Sequence, residues 1–552
     1  MTKSWLVLAK VLSMVLQAGA AEPATGEIAQ TAEFKKGRLL FVQHWLICHL
    51  ASGQGVPGTY PPLTNSDFLA ADRSRAIRII CEGLSGAIEV NGRTYHNVMP
   101  AVVLNDQEAA DVLTFVNNSW GNHAPAFTSA EVATVRKATR FPTYDALLTA
   151  ASYQPLPKAP AGLALRELTR LNDFPVRLAS GGDAGPLLVL SVEGKVLSID
   201  PGSGAVATLV QPGDYADLSR GSPNTLGFTV GPDRHLYLTA NQKNEGGLIV
   251  TNEVTIFRSR APIDESPLKL AAWFETNYPY GVGPYNHGVS HVAFGPDGYL
   301  YVASGSRTDG NEKGSDPRYS TEGETPITAC IWRLDPKATP PKMAVYARGV
   351  RNVFGFAWDG DGNLFTVSNG PDAPAPEELD HIVAGGHFGF PFQFSNWTNK
   401  PYAYTPDPPR GITFKLPVAN LGPAAGGSRE KPLFTFDPHS SPAGMVWLND
   451  QWPASFRNSF LVTRYGNLLA VEKDVGFDLL QVQLTKGGDG VFTASMQTLL
   501  APLGRPIDVI THRGFIYVAE YTRPTNFKGG AGWLPGRIIE LKPTGAGQTA
   551  DR

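Results

Sequence analysis

Cysteine is almost absent from these 552 residues: Cys48, Cys81 and Cys330 are all the chain has. Three thiols exclude a disulfide framework, since at most one pair can form with one thiol left over. Net charge is equally sparse, at −3 with 18% charged residues, which excludes a polyanionic partner such as nucleic acid. Long apolar runs are missing too. Beyond the N-terminus no stretch approaches the roughly 20 apolar residues of a membrane span, so no transmembrane segment is expected. What the chain has in quantity is Gly, at 58, and Pro, at 45, which suits a turn-rich β fold.

The opening MTKSWLVLAKVLSMVLQAGAAEP joins a basic start, an apolar stretch and a small-x-small site at Ala18-Gly19-Ala20. Residues 1–20 are therefore expected to be a signal peptide, and the protein periplasmic or secreted. Lys10 interrupts the apolar stretch, so a short amphipathic helix stays open as the alternative. Residues 33–120 carry apolar residues at helical spacing in AEFKKGRLLFVQHWLICH and NDQEAADVLTFVNNSWG, around a loop-rich middle. That predicts a small all-α domain, followed by a linker over 121–164 containing a short helix.

From 165 to 545 the texture becomes strand, Gly/Asp turn, strand. The clearest copies are LGFTVGPDRHLYLTA, HVAFGPDGYLYVASG, FGFAWDGDGNLFTVSNG and IDVITHRGFIYVAEY. Anchors on the strand before each turn fall at Ser180, Val230, Phe294, Trp358, Trp447 and Thr511, at intervals of 50, 64, 64, 89 and 64. The long interval contains an insertion at 393–440, rich in Pro and aromatics. Six copies predict an all-β six-bladed β-propeller of four-stranded blades, with the tunnel mouth as the natural site.

In the α domain, Trp45-Leu46-Ile47-Cys48-His49 is a Cys-x-x-Cys-His haem attachment segment with Trp in place of the first Cys. Met99 follows in the loop segment Asn97-Val98-Met99-Pro100, before the last helix. This order resembles a class I cytochrome c domain over 33–120. The resemblance implies haem c with His49 and Met99 on the iron and Cys48 as a single thioether, or no haem, because Trp45 cannot form the other. His44 and His96 read as surface or propionate-side groups, and Cys81 as a buried thiol.

In the propeller, a His leading into a central strand at Asn286-His287-Gly288 suits proton abstraction. Arg351-Asn352 stands in the equivalent place one blade on, where a guanidinium can hold an anion or a developing oxyanion. Asn369-Gly370-Pro371 beside Glu377-Glu378 offers carbonyls and carboxylates to a hard cation. Together NHGVSHVAFGPDG, RGVRNVFGFAWD, SNGPD with EELDHIVAGGHFGFP, and GRPIDV resemble the PQQ-dependent glucose/sorbosone (aldose sugar) dehydrogenases over 165–545. The resemblance implies His287 as general base, with Arg351 and Asn352 on the quinone and carboxylates of PQQ. It implies Arg464 and Arg505 as further PQQ contacts, and Gly370 and Pro371 carbonyls on Ca²⁺ with Glu377 behind the ion. Ile507 stands where a second arginine is expected.

The expected activity is a quinoprotein dehydrogenase that oxidises an aldose or sugar aldehyde by hydride transfer to PQQ. Electrons then pass to the fused cytochrome domain and on to a downstream soluble or membrane acceptor. Two alternatives stay open: a binding propeller with a decayed cytochrome appendage, favoured by Trp45 and Ile507, and a Ca-dependent lactonase-type hydrolase. The second needs several acidic side chains converging on one metal, and Arg351, Arg464 and Arg505 argue against it.

Overall fold

The computed structural model describes residues 28–139 and 153–544, apart from 29–30, 46–48, 50–51, 56–59, 85–87, 96–98, 101, 103, 184, 221–222, 266, 282–285, 313–317, 320–322, 398–399, 401, 468–473 and 522–535. They fall in two compact units, one within Met1–Ser152 and the other within Tyr153–Thr525 and Pro535–Arg552. The expected signal peptide lies outside the described residues. No helix among them is long and apolar enough to cross a membrane.

The first unit is helical. Helix α1 (Ala32–His44) starts where Thr31 accepts a hydrogen bond from the Phe34 amide. Helices α2 (Asp67–Ala70) and α3 (Arg73–Glu82) begin at Ser66 and Asp72 in the same way. Helix α4 (Asp106–Val116) opens with a reciprocal cap between Asn105 and Glu108. Gly37 on α1 lies so close to α4 that a Cβ there would sit 2.0 Å from the Asp111 carbonyl oxygen. That close crossing lets Phe34, Phe41, Phe115 and Trp120 interlock at 5.0–5.4 Å, Phe115 edge to face with Phe34 and Trp120 and Phe41 tilted against Phe115 and Trp120. Helix α5 (Ser129–Thr139) corrects the expected linker. Phe127 and Val132 belong to this core, and Glu131 pairs with Arg73 at 2.6 Å. The strand that begins at Leu163 already belongs to the second unit.

The second unit is the six-bladed propeller. Its innermost strands are Pro175–Ser180, Asn224–Val230, Val289–Phe294, Val353–Trp358, Pro442–Leu448 and Pro506–His512, each packed on the next and the last on the first. The anchors Ser180, Val230, Phe294 and Trp358 end these strands, and Trp447 and Thr511 fall one residue short. The ring closes because Leu163–Arg170 pairs antiparallel with Arg537–Pro543 and completes the sixth blade. The expectation of four strands per blade needs one correction. The fourth blade has three strands, and the fifth has five. The extra one, Ala419–Pro423 from the insertion, runs parallel to Phe492–Leu500 on the edge of the fifth blade instead of completing the fourth.

The tunnel is crossed inside. Arg177, on the innermost strand of the first blade, is fully buried. Its Nε donates to the Leu226 carbonyl at 2.9 Å on the second blade, and its Nη2 donates to the Phe354 carbonyl on the fourth. Asp508 of the sixth blade lies 3.6 Å from Nη1. Burial lowers the Arg177 pKa to about 10, and the Asp508 charge opposes that. The guanidinium thus stays charged at neutral pH.

Candidate active site

One mouth of the tunnel is built from the residues just before the innermost strands and just after their neighbours. His287, Arg351 and Arg505 precede the third, fourth and sixth innermost strands; Gly370 follows Leu364–Ser368, and Arg464 ends Ser459–Arg464. Two runs of hydrogen bonds tie parts of this mouth together, one around His287, Arg351 and Gly370 and one ending at Arg505. The Ser306 amide donates to the Arg351 carbonyl at 2.7 Å, and the Ser306 carbonyl accepts from the His287 amide at 2.9 Å. Arg351 Nη1 donates to the Asn369 carbonyl at 3.1 Å, and the Gly370 amide donates to Glu377 at 2.5 Å. The Gly466 amide then donates to the Ser440 carbonyl at 3.0 Å, and Arg505 donates to the Gly466 and Asn467 carbonyls at 3.3 and 3.2 Å.

His287 is set by two glycines. Gly288 has φ +74°, and a Cβ on Gly305 would lie 2.6 Å from the His287 Cβ. Its Nδ1 is 3.0 Å from both the carbonyl and hydroxyl oxygens of Ser306, which leaves Nε2 for proton chemistry. Burial first, and the Arg351 charge second, hold its pKa down to about 3, so the imidazole is neutral at physiological pH with the Nε2 lone pair unprotonated.

Arg351 is buried and already occupied. Its Nη2 meets Asp309 Oδ1 at 2.5 Å, and Asp309 Oδ2 accepts from the Tyr402 hydroxyl. Asn352 is half-buried, its amide donating to Ser368 Oγ at 3.2 Å. Arg464 is held by both oxygens of Asp478 at 2.8 and 2.6 Å, and by Asp437 at 2.9 Å. Arg505 is fully buried at φ +75° and lies over the rings of Tyr465 and Phe477. Ile507 is buried apolar packing. The carboxylates Asp309, Asp437 and Asp478 escaped sequence reasoning. An isolated Asp carries no spacing signal, and only the fold puts it against an arginine.

The Asn369–Pro371 corner has acceptors to spare. Asn369 Oδ1 is buried with no hydrogen bond. Among the described residues no backbone hydrogen bond ends on the Gly370 or Pro371 carbonyls. Glu377 lies behind them. Burial pushes its pKa up to about 7 against the Gly370 amide, which favours the carboxylate. This donor set fits a hard cation. Among the described residues no three His, Cys, Asp or Glu side chains gather as a metal cluster.

In the helical unit His49 is buried, and burial lowers its pKa. Its Nδ1 lies 2.9 Å from the Pro61 carbonyl oxygen, which fixes the ring and leaves Nε2 for a metal. Met99 packs half-buried against the same core. An imidazole with Nε2 unengaged and a thioether are donor types that haem iron takes. Cys48 lies outside the described residues, as does His96. Trp45 is 5% exposed and belongs to the core. His44 is not a surface group as expected: its Nδ1 is enclosed, and burial lowers its pKa to about 4.

The profile of the Glucose / Sorbosone dehydrogenase family matches residues 173–520. Over 99 residues the chain is 37% identical to cytochrome c-552 of Thermus thermophilus, across 16% of this chain and 76% of that protein. Quinoprotein glucose dehydrogenase B of Acinetobacter calcoaceticus is 24% identical over 297 residues, across 47% of this chain and 60% of that protein. The PQQ-bound aldose sugar dehydrogenase of Streptomyces coelicolor aligns in structure at TM-score 0.47 and 21% identity, across 70% of this chain and 99% of that one.

Proposed function

Since the chain belongs to the Glucose / Sorbosone dehydrogenase family and carries a cytochrome c unit, we propose that it is an exported dehydrogenase that oxidises an aldose or sugar aldehyde. PQQ would be held at the tunnel mouth. The observation that carries this is the gathering, at one mouth, of a neutral imidazole, three arginines and an acceptor-rich corner.

PQQ, when bound, supplies the two-electron acceptor for the hydride leaving the sugar carbon. The chain's own part is position and charge. His287 takes the hydroxyl proton at Nε2, with Ser306 holding the ring through Nδ1. Arg351, Asn352, Arg464 and Arg505 supply the donors an anionic o-quinone needs. The Gly370 and Pro371 carbonyls, with Asn369 Oδ1, would hold Ca²⁺, and Glu377 stands behind as a balancing acid. In the helical unit, haem c would take His49 and Met99, with Cys48 as the one thioether, and supply a one-electron acceptor. A soluble or membrane carrier would take the electrons onward.

Purified protein loaded with PQQ and Ca²⁺, given aldoses and an artificial acceptor, is expected to turn over, and the haem band of untreated protein to sharpen on substrate addition. His49→Ala is expected to abolish that band while turnover with the artificial acceptor continues. A second reading, a binding propeller without catalysis, is favoured by one observation. Asp309, Asp437 and Asp478 already neutralise Arg351 and Arg464, which lowers the positive charge offered to a polyanion. A PQQ titration that shows no binding with Ca²⁺ present selects it.

A further inference from the structure

The seam where the ring closes carries a groove that the proposed reaction does not use. On one face of the sixth blade the strand registers set two cross-strand rows side by side. The first row is Tyr517, Glu540 and Arg166, and it satisfies itself. Arg166 takes both Glu540 oxygens at 2.6 and 3.1 Å, and the Tyr517 hydroxyl donates to Glu540 at 3.0 Å. Arg166 Nη2 also donates at 3.0 Å to the Pro201 carbonyl on the first blade. In the second row His512 stands opposite Phe515 and Lys542 opposite Ala164, with Lys542 Nζ 5.2 Å from the centre of the Phe515 ring. This row is not satisfied. Among the described residues no carboxylate lies within ion-pair distance of Lys542. His512 is buried, with Nδ1 2.8 Å from Ser180 Oγ and Nε2 enclosed without a hydrogen bond.

Next to His512 stands Arg513, exposed and at φ +50°, in a two-residue turn with Gly514 at φ +75°. Asn or Gly takes that left-handed place at least cost. Arg234 holds the matching turn of the second blade at φ +64°, but Asp264 clasps it at 2.5, 2.6 and 3.0 Å. Arg513 instead donates to the Gly185 carbonyl at 2.8 Å, and the exposed Asp200 of the first blade is itself bonded to Ser203 at 2.6 and 2.7 Å. Between these groups and Pro201-Gly202 of the first blade lies an open groove of about 440 Å³. That is the size of an organic ligand and too large for a lone ion. Its floor is apolar at Phe515 and Ala164, and Lys542 and Arg513 make it cationic. An aromatic ring stacks on Phe515, and carboxylates on that ring take charge-assisted hydrogen bonds from the two cations. The groove is remote from the mouth: Arg505 and Arg513 flank opposite ends of the strand Pro506–His512, which spans about 20 Å.

We propose that this groove binds a small aromatic carboxylate, a flat ring carrying acid groups, held by Lys542 and Arg513 on the face of Phe515. The proposal is independent of the dehydrogenase reading. The ligand would touch the closing strand at Ala164, the sixth blade at Phe515 and Lys542, and the first blade at Pro201. Those are the elements that meet where the chain closes its ring, so occupancy stabilises the closed propeller.

The test uses the full chain without added PQQ, and isophthalate as the probe. Calorimetric titration is expected to show binding, and the melting temperature to rise with isophthalate concentration. Lys542→Met and Arg513→Asn are each expected to weaken binding about tenfold, the loss of one charge-assisted contact. Arg513→Asn keeps the turn, because Asn takes the left-handed conformation readily, and unchanged circular dichroism checks that it does. The saturated-ring analogue, cyclohexane dicarboxylate, carries the same charges on a puckered ring and is expected to bind about tenfold more weakly. No heat and no melting shift at millimolar isophthalate overturns the proposal. So does binding that both variants leave unchanged, since the anion then sits elsewhere, on the arginines of the mouth for example. Inorganic phosphate or the puckered diacid binding as tightly as isophthalate overturns it as well, by showing a bare cationic patch with no place for a flat ring.

Discussion

The two units organise their candidate chemistry in opposite ways. In the helical unit almost everything sits in one short segment of sequence: Trp45, Cys48 and His49 lie within five residues, with Met99 alone arriving from elsewhere. In the propeller the groups come from four blades and are joined by hydrogen bonds, from the backbone and from two guanidiniums, running from His287 through Ser306 and Arg351 to Asn369, and from Ser440 through Gly466 to Arg505. A concentrated site is easy to find in sequence, and one substitution can break it. A distributed site is hard to see, but it degrades one contact at a time. Trp45 and Ile507 illustrate the contrast. If the proposed function holds, Trp45 costs the haem one of two covalent anchors, whereas Ile507 costs the cofactor one cation of a set; both side chains are buried.

The sharpest way to break this comparison is the one propeller group that has no substitute. His287→Gln is expected to lower kcat about 10²- to 10⁴-fold at unchanged fold, read by steady-state kinetics beside circular dichroism. A loss under tenfold would place the base elsewhere. Next comes Asp309→Ala, which strands the buried Arg351 charge. Unfolding free energy is expected to drop by about 3–5 kcal/mol, measured in urea. A neutral result would mean that solvent reaches Arg351. In the helical unit Gly37→Ala drives a methyl into the Asp111 carbonyl and is expected to cost about 1–3 kcal/mol. The loss should appear in the haem-band melt and leave sugar oxidation by the propeller intact.

A finer probe is pH. The folded His287 pKa, about 3, lies below the ordinary 6.5. As pH falls from 6.5 the unfolded chain takes up the proton first, so this residue's contribution to stability is present above 6.5 and is lost on the way to about 3. Its function follows the same course: kcat/KM should run flat through 6.5 and fall only well below it. An acid limb centred at 6.5 would show an imidazole that solvent and Arg351 leave unperturbed. The smallest expected effect is that of Trp45→Cys, which restores a second thioether and should shift the pyridine haemochrome band to the two-thioether position. An unmoved band would show that the segment no longer presents residue 45 to the porphyrin.

The propeller was legible in sequence because each innermost strand ends at a Gly/Asp turn that local chemistry demands; Pro296-Asp297-Gly298 and Asp359-Gly360-Asp361-Gly362 mark two of them. His287 and Arg351 were legible for the same reason, since they stand at a fixed offset before those strands. What could not be read were long-range choices. Ala419–Pro423 joins the fifth blade and not the fourth, a matter of which edge it meets. Helix α5 packs on the helical core although the Pro- and Ala-rich surroundings suggested a linker. Asp309, Asp437 and Asp478 look like any solvated acid until the fold buries them beside a guanidinium.

Arg177 makes the tunnel a cul-de-sac. Its guanidinium bridges blades across the axis, so a molecule at the active mouth has no back exit. Under the proposed function, product leaves by the door through which substrate came; a carrier that calls at that door competes with sugar there, whereas a carrier served through the helical unit leaves the door free, and the two routes part in whether excess carrier inhibits.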